Sequence, residues 1–163
     1  MVKSAVIVID MIKGMERWIP KERMKRIQPN IRAIMDAARE RKIPVIYIIH
    51  KPLGKNGTKI YEQVKPATSD FRITKNEFSS FYKTKLDMLL KKLKVKRLIL
   101  TGVSTHWCVM TTAVDASYRG YEIILLEDCT TAPNDEWHRW AIKWMKNSFD
   151  LTVTTQRNIG RFL

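Results

Sequence analysis

Residues 98–120 read LILTGVSTHWCVMTTAVDASYRG. The stretch passes from an apolar run through a glycine turn into a segment with helical spacing. It closes on Gly120, a residue type favoured just past a helix C-terminus. Strand, turn and helix in that order are the first half of a βαβ unit. Cys108 lies at the joint between turn and helix. In a first helical turn, unpaired backbone N–H groups and the positive end of the helix dipole favour a thiolate, and the same N–H groups can hold a developing oxyanion.

The alternation extends in both directions. SAVIVID (4–10), VIYII (45–49), RLILTG (97–102), YEIILLED (121–128) and LTVTT (151–155) are mostly continuous apolar runs, as strands buried on both faces require. FRITK (71–75) is shorter, an edge strand or a loop. Helical patterns fill the intervals. One spans 27–42, with Ile31, Ile34, Met35 and Ala38 on one face and Pro44 beyond its end. Others lie near 84–94, from about Thr105 to Tyr118, and after Pro133. In the last, Trp137, Trp140, Ala141, Trp144 and Met145 share a face that reads as core or as a subunit contact. Strands alternating with helices predict a doubly wound α/β domain, a mainly parallel sheet of five or six strands with helices on both faces in a Rossmann-like three-layer arrangement. The 163 residues suffice for one such domain, 1–163, with no repeat or linker. GKNGTK (54–59) lacks the order of a phosphate loop and reads as a turn around Asn56-Gly57.

Lysine and arginine number 30 against 16 aspartates and glutamates, a net charge of +14. The basic residues are spread along the chain, densest in KERMKR (21–26) and KKLKVKR (91–97), which suits a solvated lysine-rich surface. Nucleic-acid binding is not the expected main role. No apolar run approaches the ~20 residues of a membrane span, so no membrane partner is expected. The opening MVKSAVIVIDM reaches Asp10 without a cleavage site and reads as a strand, not a signal. Two cysteines, with no C-x-x-C pair, fit the reducing cytoplasm.

Ligands of open α/β sheets bind beyond the carboxyl ends of the strands. Asp10, His50, the 101–108 turn and Asp128 fall there, and Lys75 closes FRITK. Asp10 is a candidate base for the Cys108 thiol. A carboxylate beside a thiol disfavours the thiolate, and Lys75 is the cation that would offset this. Singly, each residue has a plainer reading: Cys108 a small buried hydrophobe, Asp10 a loop anion, Lys75 a solvated charge. Their joint placement carries the chemical reading. His50 either lines the pocket or caps a carbonyl. Trp107 either walls the pocket or packs in the core. His106 is two residues before Cys108, so on a helix the two side chains point apart. Cys129 reads as structural.

The stretch TGVSTHWCVMTTAVDASYRGYEIILLEDCTTA, with AVIVIDM at the start and ITKNEFSSFYKTKLDMLL in the middle, resembles the isochorismatase-like cysteine hydrolases. That family includes nicotinamidases, N-carbamoylsarcosine amidohydrolases and isochorismatases. The resemblance implies an Asp10–Lys75–Cys108 triad, a cis peptide joining Val103 to Ser104, and an oxyanion site made by the N–H groups of Ser104 and Cys108. It sets Met15, His50, Phe81 and Trp107 about the substrate pocket. Nicotinamidases of this family carry a metal on an Asp-x-His pair and a later histidine. Here only His50 stands in that region, so no metal and no cofactor are expected. Isochorismatases proper act without the cysteine, so Cys108 points instead to hydrolysis of a C–N bond in a small amide-like molecule. The resemblance also implies a homo-oligomer, dimer or higher. The alternative is an idle member of the family, a binding or scaffold protein whose basic surface recruits an anionic or nucleic-acid partner.

Overall fold

The computed structural model describes residues 2–51 and 57–163. Gly54, Lys55 and Asn56, in the turn read at 54–59, lie outside the described residues. Six strands among the described residues form one sheet: β1 (Ser4–Ile9), β2 (Val45–His50), β3 (Phe71–Lys75), β4 (Arg97–Val103), β5 (Glu122–Thr131) and β6 (Leu151–Thr154). Their spatial order is β3-β2-β1-β4-β5-β6, with every neighbouring pair parallel. FRITK is therefore an edge strand. The helices are α1 (Lys21–Glu40), α2 (Leu86–Lys92), α3 (Met110–Tyr118) and α4 (Asp135–Ser148).

The apolar runs are continuous because both faces of the sheet are covered. In β1, Val6 and Val8 pack with Ile27, Ile31, Ile34 and Met35 of α1. Ala5, Ile7 and Ile9 point the other way, toward Leu86 and Leu90 of α2, Ala113 and Ala116 of α3, and Ala141 and Met145 of α4. The fold is thus doubly wound. The chain builds outward from β1 to β3, then returns to β4 on the other side of β1. That reversal opens a crevice at the carboxyl ends of β1 and β4, where ligands of such sheets bind. Gly102 sets the closeness of this pair. It has φ +100°, and a Cβ there would lie 2.0 Å from the Ile9 carbonyl oxygen.

Two helices differ from their sequence reading. α1 begins at Lys21, with Pro20 before it, so the charged KERMKR run forms its first turns and Pro29 falls in the helix interior. Pro29 gives no N–H to the preceding turn. The buried row of Met24, Ile27, Ile31, Ile34, Met35 and Ala38 holds the helix across that gap. In α4 only Ala141 and Met145 are buried. Trp137, Trp140 and Trp144 stand 45%, 54% and 38% exposed, so they rim the helix and do not form core.

Candidate active site

Asp10 follows β1 with φ +51°. Its N–H donates to the Ile48 carbonyl at 3.0 Å, which extends the ladder to β2 by one residue. The turn aims its carboxylate into the crevice, where Oδ1 accepts the His50 backbone N–H at 3.0 Å. Lys75 ends β3 directly across from His50. Its side chain is fully buried, with Nζ 2.9 Å from Asp10 Oδ2. The same ammonium lies within hydrogen-bond reach of Cys108 Sγ at 3.1 Å and of the Glu77 and Phe78 carbonyls at 3.0 and 3.1 Å, more acceptors than its three N–H groups can serve at once. It lies 3.3 Å from His50 Nδ1. An ammonium only donates, so Nδ1 accepts, and in the neutral ring the proton is assigned to Nε2. Burial and then Lys75 push the His50 pKa down, which favours that neutral ring.

Cys108 is not in an ordinary first helical turn. Residues Thr105–Val109 form a wider π-helical turn ahead of α3. The Ser104 carbonyl accepts from Trp107 at 3.0 Å and from Val109 at 3.1 Å, and no bond from Cys108 falls between them. The Val103–Ser104 peptide is cis, as the resemblance implied. Ser104 is wholly buried, and among the described residues its N–H makes no backbone hydrogen bond. The helix-start field does not by itself free a thiolate. Burial first, then the Asp10 charge, push the Cys108 thiol up to about 12 against the pull of Lys75. The resting proton therefore stays on sulfur at neutral pH. Asp10 Oδ2 is ion-paired with Lys75 but has no aligned hydrogen bond among the described residues, so a lone pair is left for that proton.

A cavity of about 150 Å³ opens above the sulfur, lined by Met15, Trp18, His50, Phe78, Trp107 and Cys108. Met15, His50 and Trp107 thus stand where the sequence set them. Phe81 does not: it is buried in the core, with its ring stacked 5.9 Å from Tyr121 and Arg119 over it at 4.8 Å. Phe78, three residues earlier, takes the wall position. Its ring lies parallel to Trp107 within 3°, at 5.9 Å. Trp18 was not anticipated, and nothing in its neighbourhood of the sequence marks it. Asp10, His50 and Cys108 each offer an atom that could bind a metal, all within 4.8 Å of one another. The Lys75 ammonium lies within 3.3 Å of all three, and its charge opposes a second cation at the same place. His106 turns away from Cys108 and meets Ser104 Oγ through Nδ1 at 2.9 Å. Cys129 is buried beside Asp128, away from the crevice.

Fold and site together define a doubly wound α/β protein with a thiol at the floor of its switch-point pocket. The model of the isochorismatase domain matches residues 4–157, and the chain belongs to the isochorismatase family of hydrolases. It is 30% identical to the uncharacterized isochorismatase family protein YaaI of Bacillus subtilis, over 96% of each chain. It is 27% identical to nicotinamidase 3 of Arabidopsis thaliana, over 83% of this chain and 76% of that one. The crystal structure of N-carbamoylsarcosine amidase from Thermoplasma acidophilum superposes with a TM-score of 0.87 at 26% identity, covering 98% of this chain and 99% of that one.

Proposed function

We propose that the chain cleaves the C–N bond of a small amide-like substrate through a thioester on Cys108. The observation that supports this best is the Lys75 ammonium, buried between Asp10 Oδ2 at 2.9 Å and Cys108 Sγ at 3.1 Å below the cavity. Asp10 accepts the thiol proton as sulfur attacks the carbonyl carbon, and Lys75 steadies the charges on both. The N–H groups of Ser104 and Cys108 receive the oxyanion. Collapse breaks the C–N bond, and Asp10 returns its proton to the departing nitrogen, so ammonia or an amine leaves. Water then gives a proton to Asp10 and its oxygen to the thioester carbon. The acid departs, and the thiolate regains the proton. The cavity, little larger than one ring, suits a small substrate.

A panel of small primary amides and N-carbamoyl compounds, assayed for ammonia or amine release, tests this. An acyl adduct on Cys108 is expected in acid-quenched protein, and Cys108→Ala should lose at least about 10³-fold of the activity. Retained turnover in that variant would sink the proposal. No turnover on any amide, together with a Cys108 that no acylating reagent reaches, would favour the idle binding protein. Both described thiols are buried and unbridged, which supports a cytoplasmic location. No helix among the described residues is long and apolar enough to cross a membrane.

A further inference from the structure

Ser104, just before the π-helical turn, and Thr105, its first residue, are each tied to a histidine. Thr105 Oγ1 meets His138 Nδ1 of α4 at 2.8 Å, and Ser104 Oγ meets His106 Nδ1 at 2.9 Å. His106 is only 8% exposed. Its ring is clamped between Trp107 at 4.4 Å and Trp137 of α4 at 4.6 Å. Its Nε2 is buried without a hydrogen-bond partner among the described residues. An orphaned buried nitrogen is a cost that packing alone does not explain. Phenylalanine would fill the same slot between two indoles with no stranded polar atom. What phenylalanine lacks is the bond to Ser104.

We propose that His106 is a positioning residue for catalysis: through Ser104 Oγ it holds the Ser104 peptide so that its N–H meets the oxyanion. This rests on the thioester reading above. The side chain of residue 104 bonded to the ring of residue 106 closes a short loop over the intervening peptides. The tryptophans on either side stop the ring from swinging out, and α4 holds the turn from below through Trp137 and His138. Burial pushes the His106 pKa down, so the ring stays neutral and brings no second charge beside the Asp10–Lys75 pair. The brace acts on a donor to the oxyanion and leaves the thiol's own environment alone. Acylation and alkylation of Cys108 should therefore respond differently, because alkylation forms no oxyanion.

The test compares Ser104→Ala, His106→Phe and the double variant with the wild type. p-Nitrophenyl acetate reports acylation of Cys108, and iodoacetamide reports alkylation. Each single variant should acylate roughly tenfold more slowly, with alkylation held within twofold. The double variant should be no slower than the slower single variant, since the two residues act as one unit. His106→Asn, which keeps a polar group facing Ser104, should recover part of the loss. Ser104→Ala removes one oxygen and keeps the N–H, so it reads out the bond even where His106→Phe fails to fold. Acylation within twofold of wild type in Ser104→Ala overturns the proposal. So does a loss of acylation and alkylation in parallel, which marks general damage to packing. A wild type acylated no faster than a free thiol removes the thioester reading and the inference with it.

Discussion

At the scale of single residues, the site is arranged around a lysine that never reaches solvent. Lys75 touches Asp10, Cys108 and His50, the proposed base, the proposed nucleophile and the pocket histidine, so removing it should do more than slow a reaction. Lys75→Met leaves the Asp10 charge buried and unpaired, and should destabilise the fold by about 3–5 kcal/mol in denaturant titration. Asp10 and Lys75 pull the thiol in opposite directions. Iodoacetamide should therefore label wild-type Cys108 slowly at pH 7, rising up to about tenfold per pH unit toward pH 10 as thiolate forms. Asp10→Asn removes a charge that holds the proton on sulfur. It should speed labelling at pH 7 while abolishing turnover; labelling slowed in that variant would contradict the proton path. Lys75→Met should slow both. Asp10 could be placed from the sequence because it sits where an apolar run stops, and Cys108 because it follows the glycine turn after another; Lys75 ends the short FRITK run, which pattern alone left between strand and loop. Phe78 and Phe81 were not separable, because residues 76–85 follow neither a two-residue nor a 3.6-residue period. Which phenylalanine reaches the cavity is decided by Tyr121 and Arg119, which claim Phe81 from distant parts of the chain.

Among the elements, β1 and β4 determine whether the crevice exists, and Gly102 is where a side chain would collide with β1. A methyl group there would overlap the Ile9 carbonyl, which is backbone and cannot rotate away. Gly102→Ala should cost about 3 kcal/mol or more, part from the positive φ and part from overpacking. Thermal unfolding measures the loss, and Gly120→Ala is the control. Gly120 also has a positive φ but meets nothing within 4 Å, so its cost should stay near the conformational term alone, about 1 kcal/mol. Equal losses at the two sites would mean that contact with β1 contributes nothing. The strand positions and the doubly wound arrangement followed from the apolar runs and the periodicity between them, which survive because both sheet faces are buried; the spatial order of the strands did not. The π-helical turn did not follow. Its shape comes from two amides sharing the Ser104 carbonyl and from a side-chain bond to α4, and no local spacing encodes either. The start of α1 was hidden for a related reason: Pro29 and a charged run argue locally for a boundary that burial of Met24 and Ile27 overrides.

Across the whole molecule, a chain of net charge +14 displays an aromatic row on its surface. Trp140 contacts Trp144 at 6.4 Å, Trp144 contacts Phe149 at 5.5 Å, and Phe149 contacts Tyr118 at 6.1 Å. Tyr118 is 77% exposed. Trp144 also walls a groove with Phe78, Tyr82, Met110 and Val114, and Phe78 reaches from that groove to the active-site cavity. Connected apolar surface of this kind is what protein contacts commonly use, and it is the ground for expecting a partner here. Charge favours a second copy as the occupant. The groove carries Glu77 and Asp115, whereas α4 exposes Arg139, Lys143 and Lys146 beside its tryptophans. In the expected dimer a two-fold axis would set α4 of each chain into the groove of the other, tryptophan on apolar wall and lysine near carboxylate. Sedimentation at 0.15 M salt is the measurement, since a Debye length of roughly 8 Å screens the repulsion between two basic chains but spares pairs in contact. A dimer or larger species is expected, and Trp140→Glu with Trp144→Glu should return it to monomer with the fold intact. A monomeric wild type at high micromolar concentration would leave the row without a partner of its own kind. Because Phe78 belongs to both groove and cavity, the dissociated variant should also bind substrate more weakly, with KM raised more than kcat is lowered.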